Sequence, residues 1–405
     1  MKKRVLALIL TIVLTISMVS VFASCGKKNY AEDNTKMVIG ASGPLTGGAA
    51  IYGIAVRNAA LLAVKEINAI EAKGGEGTLG FQFDFVMYDD KHDPTNVPSG
   101  YADLYEDGMQ ISLGTVTTKP GLEYKVLSHD DNVFFLTPSA TGDDIPEFSN
   151  GYQMCFADSN QGSASAKYFN ENYQGKKIGV FYKADDEYSK GIYDQFMKTI
   201  SSSFGTIDTA NFTGEASTFD SQIDTLKNCD VIFMPIYYTP ASQFMLQGVE
   251  KGVKESAIYY GCDGLDGIDA QLGDDLTKIP QEISYLSHFN SNATEGPAKV
   301  FIDKYNAEYD EAKEPLNQFG AAAYDCVWAI YEALKIAKAN GEEITVNMAP
   351  SDLCDVLTEV FNSDSFTFRG ITGKTNGNEK SYISWESTGY VNKEAIKYVV
   401  KAANN

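Results

Sequence analysis

The chain has 405 residues, 44% of them hydrophobic and 12% aromatic. This suits a globular protein large enough for two domains with separate cores and excludes an intrinsically disordered one. A formal net charge of −21 repels phosphate backbones and anionic lipid, which excludes nucleic acid as a partner and membrane adsorption through the protein surface.

The first segment is a charged start, Met1 to Arg4, followed by an uncharged apolar run from Val5 to Ala23. That pattern predicts a secretory signal, with a retained membrane helix as the alternative reading. Phe22-Ala23-Ser24-Cys25 resembles a bacterial lipoprotein box, which implies a signal peptide over residues 1–24 and lipid attachment at Cys25. Either reading places the rest of the chain outside the cytoplasmic membrane. Residues 25–36 are polar and patternless and are expected to form a tether, reaching roughly 35–40 Å when extended. The remaining cysteines, Cys155, Cys229, Cys262, Cys326 and Cys354, are odd in number and widely spaced. They are expected to be buried thiols, with a single bridge left open.

Beyond the tether, short apolar runs alternate with helical periodicity. Met37 to Gly40 reads as a buried strand, Ile54 to Ile70 as a helix, and Phe81 to Met87 as an alternating strand. Further strands are predicted at Gln110 to Leu113, Val133 to Leu136, Lys177 to Tyr182, Asp230 to Ile236, Ser256 to Tyr260 and Glu282 to His288. Helical spacing covers Ser163 to Asn172, Gly191 to Ser203, Ser242 to Lys251 and most of Gly296 to Ala339. Strand and helix in alternation predict an α/β fold with parallel sheets, one before about residue 155 and one after it. Ligands of such sheets bind beyond the carboxyl ends of the strands.

Catalytic and metal templates find no match. The three histidines, His92, His129 and His288, have no metal-ligand spacing, and neither a phosphate loop nor a nucleophile elbow is present. No enzyme activity, cofactor or metal is expected. The strand ends carry other chemistry. Gly114-Thr115-Val116-Thr117-Thr118 and Pro138-Ser139-Ala140-Thr141 combine small residues with hydroxyls. Each is either a helix cap or a turn, or a place where free amides and a helix dipole hold a carboxylate. On the other half, Tyr188, Tyr237-Tyr238 and Asp263-Gly264 follow strands and offer flat walls and a carboxylate. Alternatively, they are ordinary core and turn residues.

Ile39-Gly40, Gly43-Pro44-Leu45-Thr46-Gly47, Tyr52-Gly53, Glu66-Ile67-Asn68-Ala69, Asp89 to Pro94, Pro138 to Thr141 and Asp263-Gly264 together resemble leucine/isoleucine/valine-type solute-binding proteins of ABC transporters. The resemblance implies a type I periplasmic-binding fold, two Rossmann-like lobes joined by three crossings. These fall near Met154–Ala157, Ser284–His288 and Arg369–Thr375. The lobes are then 37–155 with 288–369, and 156–287 with 370–405. It further implies that Thr118, Ser139, Ala140 and Thr141 hold an α-carboxylate, the latter three also meeting the α-ammonium through oxygens. Asp263 pairs with the ammonium, Tyr188 and Tyr238 line the closed cleft (Tyr237 if the alignment slips by one), and Tyr52 faces the ligand side chain. The implied function is a monomeric, lipid-anchored protein that captures an amino acid and delivers it to the permease and ATPase of an ABC importer. The competing reading is a sensor of a small amide or aromatic acid that feeds a signalling system.

Overall fold

The computed structural model describes residues 35–310, 312–373, 379–393 and 395–402. The expected signal, Cys25 and nearly all of the expected tether therefore lie outside the described residues. The first lobe opens with β1 (Lys36–Gly43), α1 (Ala50–Glu71) and β2 (Gln82–Asp89). It continues through α2 (Val97–Glu106), β3 (Met109–Thr115), α3 (Thr118–Asp130), β4 (Phe135–Thr137) and β5 (Gly151–Gln153). These strands form a parallel sheet in the order β2-β1-β3-β4-β5. All seven residues of β3 are buried, as expected for a central strand covered on both faces.

The second lobe repeats the plan. Its elements are α4 (Asp158–Asn172), β6 (Ile178–Lys183), α5 (Glu187–Thr199), β7 (Asp208–Phe212) and α6 (Asp220–Leu226). Then come β8 (Val231–Met234), α7 (Tyr238–Lys251), β9 (Ile258–Gly261), α8 (Ile268–Leu272) and β10 (Glu282–Ser287). Three helices follow, α9 (Gly296–Glu308), α10 (Gln318–Ala339) and α11 (Pro350–Phe361). The chain ends with β11 (Phe368–Gly370), β12 (Ser381–Trp385), β13 (Val391–Asn392) and β14 (Ile396–Lys401). The second sheet runs β14-β10-β9-β8-β6-β7, parallel except for β14. The fold is α/β with two parallel sheets. Strand order reverses between β1 and β3, and again between β6 and β8, so each lobe has one switch point at its carboxyl edge.

Helix α10 returns to the first lobe and lies along α1. Tyr324 Oη donates to Glu66 Oε2 at 2.6 Å, and Tyr331 Oη donates to Glu71 Oε1 at 2.6 Å. The chain passes between the lobes after β5, again at His288 directly after β10, and last between β13 and β14. The expected third crossing at Arg369–Thr375 is corrected here. Lys374 and Thr375 lie outside the described residues, and Arg369–Gly370 belong to β11, which pairs with β12. This small antiparallel sheet stays on the first lobe. Trp385 Nε1 donates to Gln153 O at 2.8 Å, Tyr390 Oη donates to Asp143 O at 2.7 Å, and the Trp385 ring packs 4.6 Å from Phe361. The second sheet regains the chain only at β14, where Ile396 pairs with Ser287. Cys155, Cys229, Cys262, Cys326 and Cys354 are buried free thiols. No described helix is long and apolar enough to cross a membrane.

The first turn of α1 rests directly on the loop after β1. A Cβ on Gly53 would fall 2.0 Å from Pro44 O, closer than any side chain tolerates. Gly53→Ala is therefore expected to lower unfolding stability by ~1–3 kcal/mol, measured as a shift in the denaturant midpoint with unchanged slope.

Candidate functional site

The carboxyl edges of the two sheets meet at a cavity. Tyr52, Val116, Thr117, Thr118, Ser139, Thr141 and Phe319 line it from one side, and Tyr188, Tyr237, Asp263 and Gly264 from the other. The cavity between the lobes has a volume of about 10 Å³, room for about one water.

On the first wall, Thr118 opens α3 and is buried. Its hydroxyl accepts from Gly142 N–H at 3.2 Å and lies 3.4 Å from Thr141 Oγ1. Thr137, at the end of β4, fixes the adjoining turn. Its Oγ1 donates to Thr115 O at 2.6 Å and accepts from the amides of Ser139 at 3.3 Å and Ala140 at 3.0 Å. Those two amides point back into the turn, not out to the cavity. The Ala140 carbonyl is likewise taken by Gln153 Nε2 at 2.9 Å and Cys155 Sγ at 3.4 Å, so Ala140 supports the wall without lining it. Ser139 and Thr141 do line it, and with Thr118 they make a face of hydroxyls.

On the second wall, Tyr188 Oη donates to Asp263 Oδ1 at 2.8 Å and accepts from Gly264 N–H at 2.8 Å. Gln161 Oε1 accepts from Asp263 N–H at 3.0 Å. The Tyr188 and Tyr237 rings stack at 4.7 Å. Tyr237 reaches the cavity, whereas Tyr238 begins α7 and turns its ring edge-on to Tyr52 at 4.8 Å. The expected place of Tyr238 on the wall thus falls to its neighbour. Tyr52 contributes its ring, but its hydroxyl donates to Gly264 O at 2.5 Å in the opposite lobe.

Asp263 dominates the electrostatics. It is buried, and its Oδ2 has no hydrogen-bond partner among the described residues. Burial pushes its carboxyl up to about 7, against the opposing hydrogen bond of Tyr188. Asp158, at the start of α4, is a second buried carboxylate with an unpartnered oxygen, Oδ1. Burial holds it well above the usual carboxylate range, and the charge of Asp263 adds to this. Among the described residues, no lysine or arginine lines the cavity. The lining therefore presents one acid short of a donor, Asp263, on one side and hydroxyl groups on the other, while Asp158 is buried outside the lining. Among the described residues, no group of three or more His, Cys, Asp or Glu could hold a metal ion.

Three contributors escaped the sequence reading. Phe319 comes from the first turn of α10, far along the chain, and no local pattern marks it. Asp158 follows the first crossing and reads as an ordinary helix start. His92 braces the rim: its Nδ1 lies 2.9 Å from Thr117 Oγ1, and its ring stands edge-on to Tyr237 at 5.2 Å. Its left-handed backbone, φ +62° beside Lys91 at +57°, is uncommon for side-chain-bearing residues and signals a locally imposed turn.

A family model described as periplasmic binding protein matches residues 36–369. The leucine-, isoleucine-, valine-, threonine- and alanine-binding protein of Pseudomonas aeruginosa is 28% identical over 335 residues, covering 80% of this chain and 84% of that protein. The Leu/Ile/Val-binding protein of Escherichia coli is 25% identical over 321 residues, covering 76% of this chain and 79% of that protein. Among solved structures, the branched-chain amino acid transporter substrate-binding protein of Streptococcus pneumoniae, in complex with isoleucine, is 25% identical. Its TM-score is 0.74, with coverage of 90% of this chain and 98% of that one. A solute-binding protein from R. palustris in complex with benzoate has a TM-score of 0.73 at 16% identity, covering 91% of this chain and 94% of that one.

Proposed function

Because this chain belongs to the periplasmic binding protein family, we propose that it captures an amino acid, branched-chain or otherwise hydrophobic, between its lobes and delivers it to an ABC importer. The unpartnered Oδ2 of buried Asp263, facing a hydroxyl wall with no cationic side chain in the lining, carries this reading. A zwitterion fits both ends. Its ammonium satisfies Asp263, while Thr118, Ser139, Thr141 and the amino end of α3 receive its carboxylate. Tyr188, Tyr237, Phe319 and the Tyr52 ring cover its apolar part. With so little free room, entry requires the lobes to hinge apart, and closure then removes both charges from water. Calorimetric titration of the purified protein with isoleucine, leucine, valine, alanine, threonine and benzoate tests the proposal. Binding of an amino acid with no heat from benzoate supports it. Benzoate binding without any amino acid overturns it in favour of an aromatic acid, a reading favoured only by the four aromatic rings of the lining.

The family match supports an extracytoplasmic location, with permease and ATPase subunits as the partners that transport requires. Lipid attachment at Cys25 is part of the same proposal. Cys25→Ser is expected to move the protein from the membrane fraction to the soluble fraction, and an unchanged distribution on fractionation counts against the anchor.

A further inference from the structure

We propose that the Tyr52 hydroxyl is the latch of the cleft, a positioning group that sets how long the lobes stay closed and not which solute they select. The inference rests on the solute-capture reading but not on the identity of the solute. Tyr52 belongs to the first lobe, yet its hydroxyl is spent on the main chain of the second. It donates to Gly264 O at 2.5 Å and faces the Tyr238 amide at 3.5 Å. Two more bonds cross the same seam: Ile51 N–H to Tyr238 Oη at 3.4 Å, and Thr239 Oγ1 to Gly48 O at 2.8 Å. The amino ends of α1 and α7 are thus joined directly.

Both anchors of the Tyr52 bond are closely packed. Gly53 is pressed against Pro44, and a Cβ on Gly264 would fall 2.5 Å from Tyr188 Oη and 2.9 Å from Ile236 O. A hydrogen bond between two closely packed anchors in opposite lobes exists in one lobe arrangement and is lost when the lobes part. Because it ends on main-chain groups, it is blind to the side chain of whatever is enclosed. Its contribution adds equally to every closed complex, so it slows release without altering preference.

The experiment compares wild type with Tyr52→Phe, which keeps the ring and removes the hydroxyl. Stopped-flow displacement of isoleucine and of alanine is expected to give release rates about tenfold faster for both, about 1.4 kcal/mol, with the affinity ratio of the two held within twofold. A ratio changed by more than threefold, or release rates unchanged, overturns the latch. A second readout needs no bound solute. Spin labels at the exposed positions Glu76→Cys and Glu255→Cys, one in each lobe, report the separation between them in the full chain. Tyr52→Phe is expected to shift the distance distribution outward, and Thr239→Val to shift it in the same direction by less. Superimposable distributions overturn the proposal even if no amino acid binds.

Discussion

Asp263→Asn is expected to weaken amino-acid binding about hundredfold, about 2.7 kcal/mol, the range found when one partner of a buried, hydrogen-bonded charge pair is truncated. The substitution is nearly isosteric. The Tyr188 hydroxyl still finds an oxygen at position 263, and the backbone bonds from Asp263 N–H to Gln161 and from Gly264 N–H to Tyr188 are untouched. What disappears is the negative charge on the unpartnered oxygen, which among the described residues of the lining is the one anionic complement to an ammonium. Calorimetry of both proteins with the same amino acid measures the loss, and a change of less than about threefold places the ammonium elsewhere. The same substitution should leave the unliganded fold as stable as wild type or more so at pH 8. A buried carboxylate must otherwise be kept charged away from water with one oxygen unsatisfied. Thermal melting without solute checks this, and a marked drop in melting temperature would make Asp263 a structural residue.

Much of the architecture was legible because its physics is local. Met37 to Gly40 is an apolar run of the kind a strand buried on both faces requires, Gln110 to Leu113 alternates polar and apolar residues as a strand does, and Ile54 to Ile70 shows apolar residues at helical spacing. The structure extends these to β1, β3 and α1 without changing their type. β7 was not legible: Asp208-Thr-Ala-Asn-Phe212 is an edge strand, half polar, and only its neighbour β6 makes it one. The third crossing was misplaced because Trp385 and Tyr390 hold the small sheet to the first lobe through contacts more than two hundred residues away in sequence.

At the site, Thr118, Ser139, Thr141, Tyr188 and Asp263, which the strand ends offered as candidates and the family resemblance singled out, line one cavity. Sequence alone could not tell Tyr237 from Tyr238. The choice depends on where α7 begins, and adjacent residues at a helix start point in different directions. Nor could it show that the Ser139 and Ala140 amides are consumed by Thr137, because a free amide and a satisfied one look alike in sequence.

The pH dependence of binding gives the second large effect, and its sign follows from the burial of Asp263. An ammonium needs the ionised carboxylate, whose ionisation is displaced upward to about 7. Affinity should therefore be flat above about pH 7.5 and fall about tenfold per unit below pH 7, so that pH 5 costs about a hundredfold. Binding at pH 6 to 7 should also release a proton, seen as a calorimetric heat that varies with the ionisation enthalpy of the buffer. Stability of the unliganded protein runs the other way. In the folded state Asp263 keeps its proton up to about pH 7, whereas the unfolded chain loses it near the ordinary value of 3.8. The resulting stabilisation is full below about pH 3.8 and is lost as pH rises through 7. Asp90 and Asp266, each raised by burial to about 6, act in the same sense, while His92, lowered by burial to about 4, opposes them. The difference between wild type and Asp263→Asn isolates the single group. The melting-temperature advantage of the variant should be greatest at pH 8 and shrink towards pH 5, while its residual affinity shows no step near 7. A variant that keeps the wild-type pH profile of binding would show that another acid, with buried Asp158 first in line, receives the ammonium.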